Sequence, residues 1–114
     1  MNNILVIEDD EYISKILRLV LSDLDYQVDS VHNGKEGIKL FNTTRKFDLV
    51  ITDIRMPGMD GNAVAKHIRG SDKSGIPIGA ITGYADEADR ECFDFILVKP
   101  FSLEALVRVV ESYV

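Results

Sequence analysis

A set of polar residues stands where apolar runs stop, and together they carry the parts of a phosphoryl-transfer site. Glu8 and Asp9 follow Ile4-Leu5-Val6-Ile7, Asp53 follows Leu49-Val50-Ile51-Thr52, Thr82 closes the run from Ile76, and Lys99 follows Phe95-Ile96-Leu97-Val98. Carboxylates gathered in one cleft repel, and each shifts toward its neutral form unless a cation joins them. Mg2+ suits such a set, being a hard cation content with two carboxylates plus waters. Lys99 adds a second positive charge and Thr82 a hydroxyl donor, the parts that cradle a phosphoryl group while a carboxylate attacks it. Asp53 is the candidate nucleophile, because aspartate forms acyl phosphates. Taken singly, a lysine before a proline or a threonine at a strand end is ordinary, and the reading rests on their convergence.

Convergence requires the runs to be parallel strands whose carboxyl ends share one edge, where open α/β sheets keep their chemistry. The chain has that order. Ile4–Ile7, 27–31, 49–52, 76–82 and 95–98 read as strands, short and rich in β-branched residues. Between them, Ile13, Ile16, Leu17, Val20, Leu21 and Leu24 recur at helical spacing, 34–45 is a weaker helix, and 62–69 carries Ala63, Val64 and Ile68 inward. The segment 85–92 has room for only a short helix. Ser102 is the expected N-cap of a last helix whose inner stripe is Leu103, Leu106, Val107 and Val110. Strands alternating with helices predict an α/β fold, a three-layer sandwich with right-handed crossovers.

The composition narrows the class. With 114 residues, 46% of them hydrophobic, the chain is expected to form one domain spanning 1–114. A formal charge of −6 argues against nucleic acid or an anionic membrane as the direct partner. No apolar run approaches the roughly 18 residues of a membrane span. The N-terminal apolar run leads straight into acids, unlike a secretory signal. The single cysteine, Cys92, excludes an internal disulfide and fits a reducing cytoplasm. Asn42-Thr43-Thr44 spells a glycosylation sequon that has no meaning without secretion.

The stretches Ile4-Leu-Val-Ile-Glu-Asp-Asp10, Asp53-Ile-Arg-Met-Pro-Gly-Met-Asp-Gly61, Ala80-Ile-Thr82 and Val98-Lys-Pro-Phe101 resemble, in that order, the signature pieces of response-regulator receiver domains of bacterial two-component signalling. The resemblance covers essentially the whole chain. It implies a doubly wound parallel sheet of order 2-1-3-4-5 with five helices, Mg2+, and a phosphohistidine on a sensor histidine kinase or histidine phosphotransfer protein as donor. It also implies a domain that catalyses its own phosphorylation and dephosphorylation rather than a dedicated enzyme. Asp53 would be the phosphorylation site. Asp9 would bind the metal directly, Glu8 through water and Arg55 through its backbone carbonyl. Thr82 and Lys99 would each meet a phosphoryl oxygen, and Lys99-Pro100 would be a cis peptide. The acidic pair is read as Glu8-Asp9 rather than Asp9-Asp10, because the family places its pair immediately after the first strand. Asp10 and Glu11 then suit the start of the following helix.

Three other readings fit less well. Aspartyl-phosphate hydrolases place a second Asp two residues after the nucleophile, where this chain has Arg55. A flavin-binding module of this fold needs a neutral phosphate loop where Glu8-Asp9-Asp10-Glu11 stand. A receiver-shaped module that is never phosphorylated has no need of the intact acid, Thr and Lys set. His32 and His67 are expected to face solvent, away from the acids. The chain departs from the family in two places. The segment from Thr82 to Lys99 is several residues short, and Ile96 occupies the position usually held by an aromatic, with Phe95 one place earlier and so on the opposite face.

Overall fold

The computed structural model describes residues 2–43 and 45–114. In chain order it contains β1 (Asn3–Ile7), α1 (Glu11–Asp23), β2 (Gln27–Val31), α2 (Gly34–Phe41), β3 (Leu49–Asp53), α3 (Gly61–Arg69), β4 (Ile78–Thr82), β5 (Phe95–Val98) and α4 (Leu103–Tyr113). The strands form one parallel sheet in the order β2-β1-β3-β4-β5. Alternation along each strand divides the core into two layers. Leu5, Ile7, Val50, Ile78 and Ala80 face α2 and α3, where Phe41, Val64, Ala65 and Ile68 meet them. Ile4, Val6, Leu49, Ile51 and Ile81 face α1 and α4, against Leu17, Leu21, Leu106 and Val110. Both faces of the central strands are therefore buried, which is why these strands read as continuous apolar runs.

The helix ends follow from local chemistry. The Asp10 carboxylate accepts the Tyr12 and Ile13 amides at the start of α1, Asn33 accepts Glu36 N–H, Asp60 accepts Ala63 N–H, and the Ser102 hydroxyl accepts Ala105 N–H. The second helix is shorter than its expected span of 34–45. It stops at Phe41: the Asn42 amide still makes an ordinary helical bond to the Ile38 carbonyl, and both the amide and the hydroxyl of Thr43 then turn to the Leu40 carbonyl, closing the last turn. Thr44, the last residue of the sequon, lies outside the described residues.

Between β4 and β5 the expected short helix over 85–92 is reduced to a single 3-10 turn, Ala85–Glu87, followed by turns. This crossover still covers the α3 side of the sheet, with Ala88 and Phe93 buried and Cys92 and Ile96 packed against the same layer. Phe95 points to the other layer. Its ring lies where a side chain on its register partner Gly79 would be, 2.0 Å from an ideal Cβ, and stacks at 5.3 Å on Tyr113 of α4.

Candidate functional site

The acids meet at the carboxyl edge of the sheet. Glu8 and Asp53 stand just past Ile7 and Thr52, a register pair of adjacent strands, and one carboxylate oxygen from each of Glu8, Asp9 and Asp53 lies within 4.8 Å of the others. Glu8 and Asp53 are buried and Asp9 is exposed. The loop after Asp53 is folded tightly enough to present its carboxylate. Gly58 takes a positive φ of 80°, Asp60 caps α3, and the Gly61 amide bonds back to the Ile54 carbonyl at 2.9 Å. An ideal Cβ on Gly61 would sit 2.1 Å from the Asp53 carbonyl oxygen, so a side chain there is incompatible with this approach. The sequence Met-Pro-Gly-Met-Asp-Gly is thus accounted for by a turn, a cap and a close backbone approach.

Each carboxylate oxygen of Asp53 has a partner. Ile54 N–H donates to Oδ1 at 2.7 Å, and the Lys99 ammonium donates to Oδ2 at 3.0 Å. Lys99 also donates to Glu8 Oε1 at 2.8 Å, while the Asp10 amide approaches Glu8 Oε2 at 3.3 Å. Burial pushes the Glu8 carboxyl up to about 8; the bond from Lys99 works against this, and the neighbouring Asp53 adds to it. Burial pulls the Lys99 ammonium down, but its bonds to Glu8 and Asp53 outweigh that and hold it above its ordinary value. One ammonium thus bridges two buried acids, and the third acid, Asp9, stands at their solvent side.

Thr82 is fully buried, and its hydroxyl accepts the Tyr84 amide at 3.0 Å. Asp53 pairs in register with Ile81, so Thr82 stands one residue further along the neighbouring strand. The Lys99 amide bonds the Thr82 carbonyl at 2.8 Å, and the Lys99-Pro100 peptide is cis, as the resemblance implied. Arg55 sits in the loop after β3, but its side chain is turned away from the acids. It forks onto Glu87, with Nε at 2.9 and 3.1 Å from the two carboxylate oxygens and Nη2 also on Oε1, and its guanidinium lies 3.5 Å over the Tyr84 ring. His32 and His67 are both exposed, and His67 bonds the Asn42 side chain at 3.1 Å.

The donor set fits a small hard cation. A Mg2+ ion with ligands at about 2.1 Å sets neighbouring oxygens about 3 Å apart and opposite ones about 4.2 Å apart. The three carboxylate oxygens, within 4.8 Å of one another, are spaced on the scale such a cation requires.

Sequence reasoning missed the polar contacts that hold the β4–β5 crossover. Besides Arg55–Glu87, the Asn62 side chain donates to the Glu87 carbonyl at 2.7 Å and accepts the Asp89 amide at 2.8 Å. Arg69 donates to the Cys92 carbonyl at 3.1 Å and to Asp94 at 2.8 Å. The signal was the shortness of the segment. Too few residues remained to cover α3 with a helix, so α3 and its loop had to hold an irregular chain by side-chain bonds.

Comparison with known proteins agrees with this geometry. ResD, a transcriptional regulatory protein of Bacillus subtilis, is 38% identical over 112 residues, covering 93% of this chain and 45% of ResD. The chain spans about half the length of the curated relatives it matches. The crystal structure of the response regulator TrrA from Thermotoga maritima, in complex with Mg2+-BeF, superimposes with a TM-score of 0.91 at 33% identity over the full length of both chains. A structure of the histidine kinase ThkA in complex with TrrA matches with a TM-score of 0.89 at 34% identity, covering 100% of this chain and 99% of that one. The sequence model of the response regulator receiver domain matches residues 4–111, and with the parallel sheet and its acidic edge already described, the chain belongs to that family.

Proposed function

We propose that the chain, as one receiver domain over 1–114, accepts a phosphoryl group on Asp53 from a phosphohistidine. In that step the Asp53 oxygen forms a bond to phosphorus as the bond from phosphorus to the histidine nitrogen breaks, and the histidine leaves as neutral imidazole after taking a proton. The observation that carries the reading is the buried Asp53 carboxylate, held by the Ile54 amide and Lys99 within reach of Glu8 and Asp9. Asp9, Asp53 and the Arg55 carbonyl would hold a Mg2+ ion directly and Glu8 through water; when bound, the metal neutralises charge on the transferring oxygens. Lys99 would pair with one phosphoryl oxygen, and the Thr82 hydroxyl, which already accepts the Tyr84 amide, can still donate to another.

The donor is a sensor histidine kinase or a histidine phosphotransfer protein, a reading supported by the ThkA–TrrA complex. The domain acts as a self-phosphorylating switch rather than a dedicated enzyme. Its place is the cytoplasm, which the unpaired Cys92 fits; among the described residues no helix is long and apolar enough to cross a membrane. Its acidic surface makes direct contact with nucleic acid unfavourable, so output passes through an effector domain or protein. Incubation with acetyl phosphate and Mg2+ should add one hydroxylamine-labile phosphoryl group to the parent and none to Asp53→Asn. Equal incorporation in the variant would refute the assignment.

A further inference from the structure

The β4–β5 crossover begins at one site residue, Thr82, and leads through β5 to another, Lys99. It contains one 3-10 turn and few internal bonds, chiefly Glu87 N–H to the Tyr84 carbonyl at 2.9 Å and Cys92 N–H to the Asp89 carbonyl at 3.0 Å. Its middle is tied to the phosphorylation loop and α3 through Arg55–Glu87, Asn62 and Arg69, while its end at Asp94 is also bonded by Ile78 of β4 and the Tyr113 hydroxyl of α4. Arg55 stands two residues past Asp53 and touches two parts of the crossover, Glu87 and the Tyr84 ring, while the Tyr84 amide is bonded to Thr82. Side chains thus close a ring of contacts from the acceptor loop across the crossover and back to the site.

We infer that Glu87 is a positioning residue that clasps Arg55 to the crossover, and that charge added at Asp53 opens the clasp. The inference rests on Asp53 being the phosphoacceptor. Phosphorylation replaces the single charge of the Asp53 carboxylate by nearly two on the phosphoryl group, a gain of about one, and brings three acceptor oxygens to the loop that carries Arg55. Glu87 offers one charge, and the pair is solvent-exposed, with side-chain exposures of 57% and 37%, so it is readily exchanged. A groove lined by Ile54, Arg55, Met56, Asn62 and Glu87 runs beside the pair and leaves it open to solvent. Once Arg55 leaves, the crossover loses its side-chain tie to the acceptor loop, and its middle keeps the bonds from Asn62 and Arg69 of α3. The stretch Ala88 to Phe93 then loosens from the layer it covers.

Cys92 is the built-in reporter. It is the only thiol in the chain, half-buried within the crossover, and pushed up by burial and by Asp89, so opening makes it both more accessible and more readily ionised. Alkylation by iodoacetamide should be slow in the parent and about fivefold faster with Mg2+ and beryllofluoride. In Glu87→Gln it should already be fast, with beryllofluoride adding little even though the 19F resonance of the bound fluoride shows normal binding. A purely structural role for Glu87 would raise the basal rate but leave the beryllofluoride increment in place, and that result refutes the coupling. So does a parent whose Cys92 rate is unchanged while the bound fluoride is seen. Absence of fluoride binding in the parent overturns the phosphoacceptor reading and the coupling with it, and the Glu87→Gln rate alone then decides whether the clasp holds the crossover.

Discussion

Asp9 and Asp10 are adjacent acids with different tasks. The Asp10 Oδ1 takes the Tyr12 and Ile13 amides at 2.9 and 3.2 Å, which commits it to the start of α1. Asp9, exposed beside Glu8 and Asp53, has its carboxylate within the acid cluster. Replacing Asp10 by Ala should therefore cost about 1 kcal/mol of stability in urea denaturation and leave Mg2+ affinity near the parent value. Asp9→Asn should do the reverse, keeping stability and weakening Mg2+ binding in calorimetric titration by on the order of tenfold or more. Greater loss of metal affinity in Asp10→Ala than in Asp9→Asn would mean that the metal pair is Asp9-Asp10.

At the scale of elements, the loop from Ile54 to Asp60 holds its shape because α3 begins almost in contact with the end of β3. Gly61→Ala would place a methyl group against the Asp53 carbonyl, backbone that cannot turn aside. The expected cost is about 1–3 kcal/mol in chemical denaturation, and unchanged stability would show that the loop can give way. The apolar runs ending in Glu8 and Asp53 made their strands legible, because a strand buried on both faces leaves little ambiguity and its last residue marks the edge; the partly buried edge strand β5 was legible from its unbroken apolar run before Lys99. The reach of α2 was less legible. Lys39 to Arg45 carry no breaker, and the helix closes through bonds from Thr43 to the Leu40 carbonyl that side-chain periodicity does not encode. The partners of Arg55 and Arg69 were not legible at all. A long cationic side chain on a loop can reach many acids, and which one it meets depends on how two distant segments are packed.

The whole molecule carries the strain of its site as a dependence on pH. Without metal, Glu8 titrates near 8 in the folded chain, whereas unfolding returns it to its ordinary 4.5. The folded state therefore binds a proton that the unfolded state has released between those values. The contribution of Glu8 to stability is complete below about pH 4.5 and is lost as pH rises toward 8. Lys99, held above its ordinary value, adds no change in that window. In EDTA, the urea midpoint should fall between pH 5 and pH 8, and Glu8→Gln should flatten the decline; an equally steep decline in the variant would assign it to other groups. Among the described residues the sheet has an open side, since β5 pairs there only with β4 and has no second neighbour to fix its alignment. Here the Phe95 ring over Gly79 acquires a further role, that of a register pin. A slip of one residue would move β5 by about 3.3 Å and turn its side chains to the opposite layers. The ring would then leave the one position in β4 that has no side chain, and Lys99 would be carried out of line with Asp53. Where the ammonium sits at the site is thus decided four residues earlier in β5, by a ring seated where β4 lacks a methyl group.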